Sequence, residues 1–227
     1  IYPRTHIKVH IALIPQAAVK RFRRELHKPL GPVLTAADDL PGLQPGDLDH
    51  PESLALGADA RAYLLDRGAR VQRFRLDGTG VGQLDRLNPV AVDAGPDGTL
   101  YLTDGGQVQG FAAGVDWTAP RPEAAWTVEV APTGDDANAV GLVLDPATGQ
   151  VVVLDAMTGR LRRFAADGTR GAYERLPAPA GGAAAVWADL AVDAGGTFYV
   201  LDRGARRVVV VPPTGAAREV ALPEAAR

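Results

Sequence analysis

Four times along the chain an apolar run ends in aspartate, turns tightly and restarts as a second apolar run. The segments are AYLLDRGARVQRF (62–74), LYLTDGGQVQGF (100–111), VVVLDAMTGRLRRF (151–164) and FYVLDRGARRVVVV (198–211). Ahead of each stands a shorter apolar piece: SLALG from Ser53, PVAVDAG from Pro89, GLVLDPATG from Gly141 and DLAVDAGG from Asp189. A unit of several short strands that returns about every 40–50 residues is the pattern of a propeller blade or a solenoid turn. Each unit divides into four strands, a to d. In the first unit these fall at 53–56, 61–65, 70–76 and 82–87, and the later d strands are expected at 126–131, 172–176 and 219–222. Turn-forming runs separate them, such as Gly95-Pro96-Asp97-Gly98 between a and b and Asp167-Gly168 between c and d.

The b strands (YLL, LYL, VVVL and FYVL) are apolar on both faces. A sheet with one solvated face would alternate apolar with polar positions. Each of these sheets is therefore expected to lie between neighbours, as blades do around a propeller axis. Residues 1–49 do not follow the repeat. HIKVHIALIP (6–15) alternates and predicts a strand. AAVKRFRRELHK (17–28) puts Val19, Phe22 and Leu26 at helical spacing and predicts a short amphipathic helix, ended by Pro29. The Pro-, Gly- and Asp-rich stretch 34–51 predicts a loop or linker. The expected division is a basic arm and linker over 1–49 and a propeller over 50–227.

The two cleanest repeats, PVAVDAGPDGTLYLTDGGQVQGF (89–111) and DLAVDAGGTFYVLDRGARRVVVV (189–211), resemble the NHL repeat. Its blade reads approximately as Pro, a small residue, apolar-Ala-apolar-Asp, a Gly turn, aromatic-apolar-x-Asp, a second turn, then Arg-apolar-x-x-Phe. The resemblance extends over about residues 50–223. It implies an all-β propeller of four visible four-stranded blades, carrying an N-terminal strand–helix arm. Two departures stand out: the usual Asn-Arg pair of the b–c turn is Ala69-Arg70 or Ala205-Arg206 here, and four repeats are visible where such propellers commonly have six. Closure stays open between a four-bladed ring, a fifth blade begun by the N-terminal strand, and completion by further sequence or another chain.

Composition narrows the classes of function. The chain is 46% hydrophobic and 22% charged, which a folded protein needs and a disordered one lacks. Aromatics make up only 6%, so Val, Leu and Ala must fill the core. With no cysteine, disulfides, thiolate metal sites and a cysteine nucleophile are excluded. No apolar run reaches the roughly 18–20 residues of a membrane span, so a soluble chain is expected. The Ala- and Arg-rich flavour looks bacterial, with cytoplasm and an exported assembly both left open. The chain begins at Ile1, which leaves room for a removed targeting segment. The net charge of −3 conceals an asymmetry. Residues 1–30 carry seven Lys or Arg against Glu25 alone, a charge of +6, which leaves −9 for the rest. A basic arm on an acidic body suits docking on an acidic protein surface, with Arg21, Arg23 and Arg24 as the contact residues. One basic cluster with a single aromatic on an acidic protein argues against a nucleic-acid partner.

Asp66, Asp104, Asp155 and Asp202 end the four b strands. As a ring of carboxylates they suit a cation. As residues present in every unit they suit what every unit needs, the capping of a turn's amides, and that reading is preferred. Function is then expected where the repeat is broken. Strand alternation puts the d–a and b–c loops on one face, which would present His50, Asn88, Asp135, Asp136, Trp187, Arg67, Arg70, Arg203 and Arg206 to a partner. The insertion DWTAPRPEAAW (116–126) reads as a long c–d hairpin or a contact site, since Trp is favoured in interfaces.

Propellers of similar sequence, the lactonases and amidoglycolate lyases, hold Ca²⁺ or Zn²⁺ at the axis. That resemblance implies the alternative of a hydrolase, lactonase or lyase with a divalent metal, Ca²⁺ being the ion that Asp135, Asp136 and Asn138 would suit. His6 and His10 do not form a shared metal site, because i and i+4 on a strand lie about 13 Å apart. No nucleophile, base and orienting group stand together as hydrolysis requires. The reading of the sequence is therefore a non-catalytic interaction or scaffold module, without cofactor or metal, in a larger bacterial protein assembly. Its arm and one propeller face would meet other chains, and it resembles accessory parts of phage-tail-like contractile injection particles.

Overall fold

In a computed structural model of the chain, the structure describes residues 8–10, 51–57, 60–66, 70–75, 78–85, 89–117, 122–132, 136–182 and 184–223. The chain is an all-β propeller with four four-stranded blades. Blade one is β2 (Pro51–Leu56), β3 (Arg61–Asp66), β4 (Arg70–Arg75) and β5 (Gly80–Asp85), and β1 (Lys8–His10) joins it as a parallel fifth strand beside β2. Blade two is β6 (Ala91–Ala94), β7 (Leu100–Thr103), β8 (Gln107–Phe111) and β9 (Trp126–Glu129). Blade three is β10 (Ala139–Leu144), β11 (Val151–Asp155), β12 (Arg160–Phe164) and β13 (Arg170–Arg175). Blade four is β14 (Trp187–Val192), β15 (Phe198–Asp202), β16 (Arg207–Val211) and β17 (Arg218–Ala221). A single 3₁₀ turn, Ala180–Gly182, is the one helical element among the described residues. The helix expected over 17–28 and nearly all of the linker expected over 34–51 lie outside those residues.

Strand order follows chain order within each blade, so hairpins are the only connections needed. The turns form where the sequence places short polar residues. Asp145 Oδ1 accepts from Ala147 N at 3.0 Å, and Asp193 Oδ1 accepts from Gly195 N and Thr197 N, both at 2.9 Å. The strand read at 82–87 runs instead from Gly80 to Asp85. Arg75 N donates to Thr79 O at 2.9 Å, so the turn closes early and the return strand begins at once.

The chain divides into two compact units, Ile1–Asp104 with Gly110–Ala125, and Gly105–Gln109 with Trp126–Arg227. In the first, Tyr63, Leu65, Val71, Leu84, Val92, Leu100, Leu102, Phe111 and Trp117 form one buried cluster. In the second, Val143, Val152, Leu154, Leu161, Trp187, Leu190, Phe198, Val200 and Val209 form another. The expectation that b strands are covered on both faces holds for β7 and β11, whose residues are all buried, and for β3 beyond its first residue. It fails at β15. There Phe198 and Val200 are buried on one face, while Tyr199 is 38% exposed on the other. On that second face Val210, directly opposite Tyr199, is itself buried, so the exposure is partial.

The insertion at 116–126 does not stand away from the body. Trp117 is buried, its ring centroid 5.5 Å from that of Tyr63 and 4.6 Å from the Arg73 guanidinium carbon. Its carbonyl accepts from Gln83 N at 3.2 Å. A Cβ at Gly82 would lie 2.5 Å from Trp117 Cβ, so glycine alone permits this approach. Of the two readings left open for the insertion, a packed hairpin or a contact site, the burial of Trp117 fits the packed one at that residue, which acts as an internal brace. Trp117→Ala is expected to lower the unfolding free energy of the chain by about 3–5 kcal/mol in urea titrations. Met157→Ala, at a 62% exposed position, should change it by less than about 0.5 kcal/mol.

Candidate functional site

Three of the four b-strand aspartates meet an arginine of the next strand in the interior. Asp66 accepts at Oδ2 from Arg70 Nε at 3.2 Å and from Nη2 at 2.9 Å. Asp155 Oδ2 accepts from Arg162 Nε at 2.9 Å, and Asp202 Oδ2 from Arg207 Nε at 3.0 Å. All six residues are at most 4% exposed. Spacing alone does not reveal the partner: it lies 4, 7 and 5 residues after the acid. The ladder register does so in blades one and four. Arg70 lies directly opposite Asp66, and Arg207 directly opposite Asp202.

In Asp155 and Asp202 the second oxygen binds backbone. Asp155 Oδ1 accepts from Asn138 N at 3.2 Å and Met157 N at 3.1 Å, while Thr158 Oγ1 donates to Oδ2 at 2.5 Å. Asp202 Oδ1 accepts from Val186 N at 2.9 Å and Ala205 N at 3.1 Å. One carboxylate thus ties the segment entering strand a, the b–c turn and strand c. The preferred reading of these aspartates as turn acceptors agrees with this geometry, and the arginine is the part that sequence reasoning missed. Burial is the largest influence on both the Asp155 and Asp202 carboxyls and opposes their ionisation. The hydrogen bonds and the facing guanidinium together outweigh it and hold both below the ordinary 3.8. Blade two differs. β8 (QVQGF) supplies no arginine, and Asp104 is exposed.

The residues expected on one docking face separate into three groups. Arg21, Arg23, Arg24, His50, Arg67, Asn88 and Asp135 lie outside the described residues. Arg70 and Trp187 are corrections: both are interior. Arg70 is committed to Asp66, and Trp187 packs in the second unit's core against Gly159, where a Cβ would meet its Nε1 at 3.0 Å. Asp136, Arg203 and Arg206 are exposed, Arg206 with Nη2 donating to Pro223 O at 3.0 Å. The d–a segment does meet the b–c turn, as the Asn138–Asp155 and Val186–Asp202 bonds record. Among the described residues no group of three or more His, Cys, Asp or Glu is placed to hold a metal ion.

A cavity of ≈ 250 Å³ opens on blade three, lined by Pro132, Arg160, Arg162, Arg170, Gly171 and Tyr173. Arg160 stands 4.4 Å from the Tyr173 ring centroid and Arg162 6.0 Å from it. Arg170 donates from Nη1 to Val130 O at 2.8 Å and from Nη2 to Glu129 O at 2.6 Å.

Because the folded pKa values of Asp155 and Asp202 lie below the unfolded one, their contribution is complete above about pH 5 and is lost as pH falls through 3.8 towards the folded values. Asp155→Asn should therefore destabilise the chain by about 3–5 kcal/mol at pH 7, since it leaves Arg162 buried and unpaired. The difference from the parent should shrink as urea titrations move from pH 5 to pH 3.

No protein-family model matches the chain, and no curated protein matches it. Solved structures do. Virginiamycin B lyase from Staphylococcus aureus superposes with a TM-score of 0.60 at 14% identity, over 81% of this chain and 58% of that one. The β-propeller domain of Cps50 (Swd1) from Myceliophteria thermophila gives 0.56 at 14% identity, over 71% and 52%. A nidogen/laminin complex gives 0.54 at 19% identity, over 73% and 60%. The chain thus spans between half and two thirds of the length of these structures. At such identities the likeness is one of fold, and the fold it supports is the β-propeller.

Proposed function

We propose that this chain is a non-catalytic propeller module that binds other protein chains, a structural part of a larger assembly. The observation that carries the reading is the partly exposed apolar face of blade four. Register places Ala191, Tyr199 and the buried Val210 side by side, with half-buried Leu201 and Val208 and exposed Val220 in the next row of the same face. Tyr199 and Val220 are 38% and 42% exposed, and Ala191 is exposed as well. A sequence as apolar as FYVLD is built to be packed on both sides, and large apolar side chains left exposed on one face, such as Tyr199 and Val220, support docking of another chain there. Leu222, 40% exposed, extends the apolar area just past β17.

Recurring ionisable groups support the same reading. The aspartates of blades one, three and four are held by arginines and amides, which leaves those carboxylates no free lone pair positioned for proton transfer. What differs from blade to blade is the exposed polar set of the turns, Asp136, Arg203 and Arg206, and this is where a binding module carries its specificity. The basic arm, through Arg21, Arg23 and Arg24, would add an electrostatic anchor to an acidic partner. The NHL-like pattern and the bacterial flavour of the composition support a phage-tail-like contractile particle as the kind of assembly. Two of the structures with this fold are described as streptogramin-type lyases, and the competing reading is a propeller lyase with a divalent metal at the axis.

The two readings part in one preparation from the native source. The module should migrate in a complex with other chains, and Tyr199→Asp with Val220→Asp should weaken that association by about tenfold or more. Thr214→Asp, on the exposed c–d turn of blade four, should leave it intact. A monomeric protein with one equivalent of Ca²⁺ or Zn²⁺ by elemental analysis would favour the lyase.

A further inference from the structure

Blade three carries one arginine more than its aspartate can use. In blades one and four the arginine directly opposite the b-strand acid makes the buried pair. In blade three the residue at that register position is Arg160, but Asp155 Oδ2 is held instead by Arg162, two residues further along β12. Arg160 is left with a cation–π contact to Tyr173 and no ion pair among the described residues. Its Nε is buried without a hydrogen-bond partner, and so is Nη2 of Arg162, a residue only 4% exposed. Directly across the ladder from Arg160 stands Arg175, a like charge that disfavours the pairing. Buried N–H groups of a guanidinium are costly to leave unpaired, and native interiors rarely do so.

Both of these arginines line the ≈ 250 Å³ cavity, and so does Arg170. Arg170 directs both terminal nitrogens at backbone carbonyls, which are neutral, so its charge also stands uncompensated there. Three guanidiniums line the cavity and one of them, Arg162, is paired with a carboxylate, that of Asp155, which leaves a net charge of +2 among the described residues. The Tyr173 ring closes one side without offering a competing anion. We propose that this cavity is an oxyanion-binding site for a doubly charged, tetrahedral group of the sulfate or phosphate class, free or carried as a monoester. The ligand accepts hydrogen bonds from Arg160 Nε and Arg162 Nη2 and neutralises the surplus charge. A carboxylate, with a single charge, leaves half of it unmatched. Guanidinium groups suit such a ligand through their planar array of donors.

The test uses the whole chain, with inorganic sulfate, inorganic phosphate, glycerol 3-phosphate and acetate as probes at constant ionic strength. Titration calorimetry should show saturable one-to-one binding of sulfate and phosphate, with acetate at least about tenfold weaker. At tenfold excess over Kd the anion should raise Tm by about 3–5 °C. Glycerol 3-phosphate binding as well as phosphate assigns the site to esters; binding far more weakly assigns it to the free ion. Arg162→Gln would break the Asp155 pair and confuse folding with binding, so the informative variant is Arg160→Gln. It should keep the parent's Tm in anion-free buffer, or raise it by relieving repulsion with Arg175, and bind sulfate at least about tenfold more weakly. No saturable sulfate or phosphate binding would overturn the proposal. So would equal affinity for acetate, or unchanged affinity in a folded Arg160→Gln variant.

Discussion

A carboxylate buried at the end of strand b and gripped by a guanidinium from strand c is the interaction on which each regular blade depends. A blade is four short strands joined by tight turns, and short strands slip unless something fixes their register. The aspartate does this at one point. It accepts from the segment that enters strand a, from the b–c turn and from strand c, so three consecutive pieces of chain are fixed by two oxygen atoms. Removing two charges from water is expensive, and such a pair is tolerable only where most of its donors and lone pairs are satisfied. Asp155 and Asp202 meet that condition, and their depressed pKa values follow from it.

Where the blades depart from this scheme, the departures differ in kind. In blade two β8 carries no arginine, and in unit one the insertion that follows it contributes Trp117 to the core. Blade three has a surplus arginine, and a cavity forms beside it. Blade four has its pair intact but leaves Tyr199 and Val220 exposed on one face. A repeat protein needs each unit to bury its sides against neighbours, so an unburied side and an unmatched charge are the places where something else is expected to bind.

Much of this was legible from residue order alone. The run of apolar residues before each aspartate located β3, β7, β11 and β15 to within a residue, because side-chain period and turn chemistry both act over a few positions. Asp155 and Asp202 accept from the amides of their turns, as residues that recur in every unit are expected to. Long-range register was not legible. Arg70 follows a turn and reads as a surface cation; only its place opposite Asp66 puts it inside. Trp187 reads as a loop aromatic and is buried because a glycine, Gly159, lets the ring approach a neighbouring turn. The cavity of blade three depends on which of two arginines two residues apart takes the aspartate, a choice that β-period cannot make, since both point to the same face.

The most direct test of the central role of the pair is a double-mutant cycle at Asp202 and Arg207 in urea unfolding at pH 7. Asp202→Leu and Arg207→Met should each destabilise the chain severely, because each leaves its partner charged and buried. Together they should recover much of the loss, with a coupling of about 2–3 kcal/mol. Single variants that each cost less than about 0.5 kcal/mol, or two losses that simply add, would show that the pair does not hold the blade together.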